Sequence, residues 1–222
     1  MRRFLRDNGL SLVLFNLFFL AFLVGQSVTG FLQNNEELLE HQQPLLTFGE
    51  YLRDAHFWEA TTENWESEFL QMFIYVVLTV FLFQKGSSES KDPEGPNEVD
   101  RDPRQSRDEK DAPWPVRHGG FVLKLYENSL ALAFLFLFLL AFFLHGVSGA
   151  GEYNQDREAH GDAPVSVGEY MASSRFWFES LQNWQSEFLA MWAMVVLSIW
   201  LRQRGSPESK PVDSPHSETG SG

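Results

Sequence analysis

The apolar residues of this chain are gathered in four runs that are separated by polar segments. The first run extends from Leu10 to about Leu32 without a charged residue, and the third, from Ser129 to about Ala150, includes an unbroken apolar stretch over 131–144. A bilayer core about 30 Å thick is crossed by roughly 20 helical residues, so both runs predict transmembrane helices. The second and fourth runs reach that length only with the polar residues before them. The chain is therefore predicted to be all-α, a bundle with four spans at about 10–32, 65–83, 129–150 and 184–201.

The first run follows three arginines, Arg2, Arg3 and Arg6, which is also how a secretory signal begins. This run is longer than the usual apolar core of a signal, and no small-x-small cleavage site follows it. We therefore expect it to be retained as a membrane span.

The basic residues predict the orientation. Of 17 Lys and Arg residues, 14 lie at the N-terminus, within 85–124 or after 201, and only Arg53, Arg157 and Arg175 lie in the two loops between spans. Basic loops stay in the cytoplasm, so both termini and the central linker are predicted to be cytoplasmic and the two loops external. The loops carry 13 acidic residues against three basic ones. No concentrated basic face is present, which argues against a nucleic-acid partner.

The second half of the chain repeats the first. At an offset of 119, residues 49–91 match residues 168–210 at 22 of 43 positions. Each half crosses the membrane twice, so the two share one orientation and form a parallel repeat. We assign repeat 1 to 1–85 and repeat 2 to 118–204. The polar linker 86–117 and the tail 205–222 have almost no apolar content and are predicted to be disordered.

An amphipathic helix is predicted in each external loop. Thr47 and Glu50, like Ser166 and Glu169, have the spacing of a capping box, which predicts helices at about 48–60 and 167–179. Their aromatic stripes have two interpretations. They pack on the protein itself, or they lie in the outer interface of the membrane with these rings at headgroup depth: Tyr51, Trp58, Trp65, Tyr170, Trp177 and Trp184.

A polar face is predicted where the second and fourth spans enter the membrane. Acidic side chains at membrane depth are costly and usually face a bundle interior or water. In one interpretation Glu68 and Glu187 approach a common axis and share a proton or hold a cation. In the other, the polar groups link helices or cap the loops. The candidate residues are Asn64, Ser67, Glu68, Asn183, Ser186 and Glu187.

Cofactor and catalytic motifs are missing from the sequence. The chain has no cysteine, which excludes disulfides, thiolate catalysis and cysteine-bound metals. His41 and His160 align between the repeats, but isolated loop histidines are usually solvated, so we expect no metal and no cofactor. Phosphate-binding loops, dinucleotide motifs and nucleophile elbows are also absent, and we expect no enzyme activity.

The paired Gly-Glu-Tyr, Phe-Trp and Asn-Trp-x-Ser-Glu-Phe-Leu segments, each after a phenylalanine-rich helix, resemble an uncharacterised family of small bacterial inner-membrane proteins. The resemblance implies a multi-pass protein of the bacterial plasma membrane and carries no known activity. Two functions are considered. The first is a structural or partner-binding membrane component, with the lipid bilayer and a homo-oligomer or membrane protein as partners. The alternative is a small proton or cation channel or carrier that uses the paired glutamates. The apolar character of both spans after Gln71 and Ala190 favours the first.

Overall fold

The computed structural model describes residues 2–220, and this part of the chain is helical with no β-strand. The helices are α1 (Arg2–Asp7), α2 (Gly9–Glu40), α3 (Phe48–Tyr51), α4 (Ala55–Phe81), α5 (Trp114–His118), α6 (Gly120–Glu127), α7 (Ser129–Ala159), α8 (Val167–Met171) and α9 (Ser174–Leu197). One turn of α2, Leu14–Phe19, has π-helical geometry.

Helices α2 and α7 are long and apolar enough to cross a membrane, with 32 and 31 residues. Their large apolar side chains mostly face outward. Leu10, Phe22 and Phe136 are each about two-thirds exposed or more. A helix in the core of a water-soluble protein would bury these groups, so their exposure is consistent with lipid as the solvent.

The external helices predicted over 48–60 and 167–179 are each interrupted. In the first loop α3 ends at Tyr51, and a new helix, α4, begins at Ala55 and continues to Phe81. Asp54 caps the new helix, because its carboxylate accepts from the backbone N–H of His56 at 3.0 Å. Ser173 does the same for α9, where its hydroxyl accepts from the N–H of Phe176 at 3.3 Å. Each long helix thus includes the second part of a predicted external helix and most of a predicted span. The helices end at Phe81 and Leu197, before the predicted spans end at 83 and 201.

The linker and the tail are built from turns and short helical segments. Two 3₁₀ turns, Glu98–Asp100 and Pro103–Ser106, precede α5, and a small apolar cluster joins Ala112, Val116 and Leu123. The tail carries the buried Lys210, whose ammonium group donates to the backbone carbonyls of the four residues Gly86, Pro215, His216 and Glu218. The disorder of both segments in solution stays a prediction.

The chain forms two compact units. The first contains residues 1–62 and 143–177, and the second contains 63–142 and 178–222. Within the first unit, the segments 30–62 and 145–177 hold both loops between the predicted spans, and we call them the cap.

Candidate functional site

Each half of the cap is organised around a buried tyrosine that covers a glycine. Tyr51 and Tyr170 are each only 1% exposed. Tyr51 packs over Gly30 and Tyr170 over Gly149, so closely that a β-carbon at either glycine would overlap the phenol ring. A side chain larger than hydrogen has no room at these two helix positions, which explains why glycine stands there.

An asparagine holds the loop in each half through the same pair of hydrogen bonds. The Asn35 amide accepts from the backbone N–H of Leu46 at 2.8 Å and donates to its carbonyl at 3.0 Å. Asn154 makes the corresponding bonds with Val165 at 2.8 and 2.9 Å. Both loops therefore return to the end of the preceding helix at a fixed point.

Both capping boxes predicted from the sequence are confirmed. The Glu50 carboxylate accepts from the N–H and the hydroxyl of Thr47, each at 2.7 Å, and Glu169 does the same with Ser166. The backbone bond, followed by the hydroxyl bond, lowers the pKa of each glutamate below its ordinary value.

Direct contacts join the two halves of the cap. The hydroxyls of Thr62 and Ser148 lie 3.2 Å apart, and the Gln155 amide donates to the Asp54 carboxylate at 3.1 Å. His41 and His160, which the sequence aligns between the repeats, meet with their ring centroids 6.0 Å apart. The sequence aligns these two histidines but gives no sign that they come together.

A cavity of about 550 Å³ lies between the halves of the cap. Ten of the fourteen residues in its described wall have polar or charged side chains, and four of these are acidic. The first half contributes Asn34, Glu37, Leu38, His41, Gln43, Pro44, Leu46, Asp54 and His56, and the second contributes Glu152, Gln155, Asp156, Ala159 and Arg175.

Arg175 is the one permanent cation in the described wall of this cavity. Its guanidinium lies 2.7 Å from the Glu152 carboxylate and 3.8 Å from that of Asp156, and it covers the ring of Tyr153 at 5.1 Å. These contacts fix the arginine against its own half of the cap.

His145 lies on α7 inside the cap and is fully buried. Its ring stacks on Phe176 at 4.7 Å, and a ring nitrogen lies within 4.8 Å of a Glu59 carboxylate oxygen. The sequence places His145 near the outer end of a span but gives no indication of these neighbours.

The polar face predicted at the membrane entry lies in the second unit and is only partly buried. Ser67 is buried, whereas Asn64, Glu68 and Ser186 are exposed and Asn183 and Glu187 are half-buried. The hydroxyls of Ser67 and Ser186 donate to the carbonyls of Asn64 and Asn183 within their own helices. Between α4 and α9, the Gln71 amide donates to the Glu187 carbonyl at 2.7 Å, and the Asn183 amide donates to the Glu63 carboxylate.

The buried carboxylate at this level is Glu66, on the opposite side of the helix from the predicted face. It accepts from the indole N–H of Trp184 at 2.9 Å. Periodicity separates Glu66 from Glu68 but does not show which side of the helix faces its neighbour, so the sequence selected the exposed glutamate.

The aromatic residues predicted at the lipid interface divide into two groups. Tyr51 and Tyr170 are inside the cap, as in the alternative in which the stripe packs on the protein. Trp58 and Trp177 are exposed, and Trp65 and Trp184 are half-buried.

Comparison with protein families matches residues 1–221 to the family described as Domain of unknown function (DUF6766). No curated protein and no solved structure matches the chain.

Proposed function

The chain belongs to this family of unknown function, and we propose that it is a four-span protein of the bacterial plasma membrane whose cap binds a ligand or partner on the outer side. The cavity between the two halves of the cap carries this proposal. We do not expect the protein to be an enzyme, because the proposed role requires a cavity that binds a ligand and no catalytic group.

The apolar surface of the helices supports the four spans. Helices α2 and α7 meet the criteria for membrane spans. The ends of α4 and α9 also expose large apolar groups, among them Phe81, Trp192 and Leu197, each more than half exposed. Exposed apolar surface of this kind is stable in lipid and unfavourable in water.

The cap differs from the spans in chemistry. Its interior contains the two buried tyrosines, the loops held by Asn35 and Asn154, and the acidic cavity. Together these features give the cap a defined shape and specific hydrogen-bonding groups. Ligand sites are concave and contain a few well-placed polar groups, as this cavity does. We therefore place recognition in the cap.

A channel through Glu68 and Glu187 is less well supported. Glu68 is exposed. After Gln71, α4 continues with apolar residues apart from Tyr75 and Thr79, so a polar path would end near the membrane entry. Transport usually needs ionisable or hydrated groups along the path.

Single-cysteine labelling tests the four spans, because the chain has no cysteine of its own. We propose Leu45→Cys, Pro96→Cys and Ala163→Cys, treated in intact cells with a thiol reagent that does not cross membranes. Four spans predict labelling at 45 and 163, and at 96 only after lysis. If α2 and α7 were the only spans, positions 45 and 96 would be labelled and 163 would not.

A ligand panel tests binding at the cap. Thermal unfolding of the detergent-solubilised chain would be measured with diamines, dicarboxylates, inorganic phosphate and Zn²⁺, since a ligand that binds the folded state raises Tm. We expect one class to raise Tm, and we expect Ala159→Trp, which fills part of the cavity, to abolish that rise. Ala163→Trp, outside the cavity wall, is the matched control. The binding proposal fails if no class raises Tm.

A further inference from the structure

Asn34 lines the cavity, and its side-chain amide has no hydrogen-bond partner in the described part of the chain. Asn34 is only 8% exposed and forms part of the cavity wall. Amide groups of nearly buried residues usually have a hydrogen-bond partner. The amide atoms of Asn34 are not sealed inside the protein, so they remain accessible from the cavity that the residue lines. Whatever occupies the cavity is therefore the natural partner of this amide.

The charge of the wall selects the ligand. Four acidic residues, Glu37, Asp54, Glu152 and Asp156, line the cavity against one arginine, Arg175. The arginine is held by Glu152, with Asp156 further away. Because the acidic residues of the wall outnumber its single arginine, the wall has an excess of negative charge, which favours a cation.

A metal ion fits the cavity poorly. Among the described residues, no three carboxylate or imidazole groups of this wall bring ligand atoms within 4.8 Å of one another. A cavity of about 550 Å³ is also far larger than a single ion needs. The space suits a small organic molecule.

The lining also distinguishes between kinds of organic cation. Quaternary ammonium groups are recognised by the faces of aromatic rings, and no Phe, Tyr or Trp is among the described residues of the wall. A primary ammonium group has three N–H donors, which match carboxylate and amide oxygens. The apolar part of the wall, formed by Leu38, Pro44, Leu46 and Ala159, suits an alkyl chain.

We propose that the cavity binds a small aliphatic primary amine or diamine, with the Asn34 carbonyl oxygen and the cavity carboxylates accepting from the ammonium group. This inference rests on the proposed ligand-binding function of the cap and names its ligand class. The alkyl chain lies against the apolar part of the wall.

Calorimetry of the full chain in detergent at low salt tests this inference, with 1,4-diaminobutane as the probe. Tetramethylammonium, which has no N–H donor, and 1,4-butanediol, which has no charge, are the matched controls. We expect binding of the diamine at least tenfold tighter than either control. Affinity should also fall as salt is added, because the attraction is between charges.

Substitutions of Asn34 test the role of its amide. Asn34→Leu keeps the size and removes the acceptor, so diamine affinity should fall about tenfold, whereas Asn64→Leu, outside the cap, should leave it unchanged. Asn34→Asp adds a carboxylate and should strengthen binding severalfold, which a merely destabilised protein would not show. Glu37→Gln, at an exposed helix position, should weaken binding without affecting folding.

The outcomes separate this inference from the function that it extends. If the diamine gives no heat of binding but another class of compound raises Tm, the proposal that the ligand is an amine is overturned. The proposal that the cap binds a ligand then stands. If the diamine binds and Asn34→Asp weakens it, the placement of the ammonium beside Asn34 is overturned. If no probe binds, both proposals fail.

Discussion

Gly149 lies directly beneath the ring of Tyr170, and a β-carbon there would come within 2.7 Å of two ring carbons. The tyrosine is 1% exposed and has no room to move away. We expect Gly149→Ala to destabilise the chain by about 1–3 kcal/mol through overpacking. For a chain of this size that corresponds to a fall in Tm of roughly 2–4 °C per kcal/mol, measurable by thermal unfolding in detergent.

Gly25→Ala provides the matched control, since a β-carbon at Gly25 meets nothing within 4 Å. An alanine in an open helix position should be neutral or stabilising by about 0.5–1 kcal/mol. Equal losses in both variants would show that the close contact with Tyr170 does not matter.

The capping glutamates give the cap a dependence on pH. Hydrogen bonds from Thr47 and Ser166 lower the pKa of Glu50 and Glu169 below the ordinary value of 4.5. Their stabilising contribution is therefore complete above about pH 4.5 and is lost as the pH falls through the lowered pKa. We expect the backbone amides of both glutamates to exchange with solvent faster at pH 3 than at pH 6, after correction for intrinsic rates.

Glu50→Gln and Glu169→Gln should remove this dependence at their own loops only. Glu40→Gln, at an exposed position outside the capping boxes, should leave it intact. A pH effect that survives both capping substitutions would contradict the assignment to these carboxylates.

At the scale of the helices and their connections, Lys210 is the anchor of the C-terminal tail. Its ammonium group lies among four carbonyls, including that of Gly86 at the start of the linker, and Lys210 is only 1% exposed. Lys210→Met keeps the length of the side chain but leaves those carbonyls without their donor. We expect residues 211–220 to be cleaved severalfold faster by a non-specific protease, because cleavage follows local opening.

Lys110→Met, at an exposed linker position, is the control for that experiment and should leave tail cleavage unchanged. If the tail of the unsubstituted chain is already cleaved at the rate of an unfolded peptide, the sequence-based prediction of disorder holds there and the anchor has no effect.

The sequence predicts where the helices lie along the chain better than it predicts which residues of different helices are in contact. The long apolar runs and the capping boxes are properties of single segments, and the structure has helices and caps at those places. The start of α4 at Ala55 also has a local signal, the N-cap Asp54, which the continuous apolar stripe obscured. By contrast, the burial of Glu66 rather than Glu68 depends on which side of the helix meets Trp184, and no local pattern contains that information.

The candidate site shows the same limit. The alignment of His41 with His160 is visible in the sequence, whereas their contact depends on how the loops return to their helices. Asn34 looks like any polar residue near a helix end. Its importance follows from burial against a cavity whose walls are far apart in the sequence.

At the scale of the whole molecule, contacts within the first unit connect the two repeats. Thr62 bonds Ser148, and Asp54 bonds Gln155. If the repeats share one orientation, a break in the linker leaves each with its own pair of spans. We expect residues 1–100 and 101–222, produced as separate chains in one cell, to purify together through a tag on either chain.

Weakening the cap contacts supplies the control for the split chain. Asp54→Ala with Thr62→Val should reduce recovery of the untagged half severalfold. Full recovery with both substitutions would show that the cap does not contribute to holding the halves together, and no recovery of the unsubstituted pair would contradict the parallel arrangement.

The cavity is not the same at its two equivalent corners. His56 stands at the position where the other repeat has Arg175, and both line the wall. One corner therefore carries a guanidinium, which is a permanent cation, and the other carries an imidazole. A ligand with two different ends would therefore bind in one orientation, with its positively charged end away from the guanidinium. Although the two repeats have similar architecture, the cavity would distinguish the two ends of such a ligand.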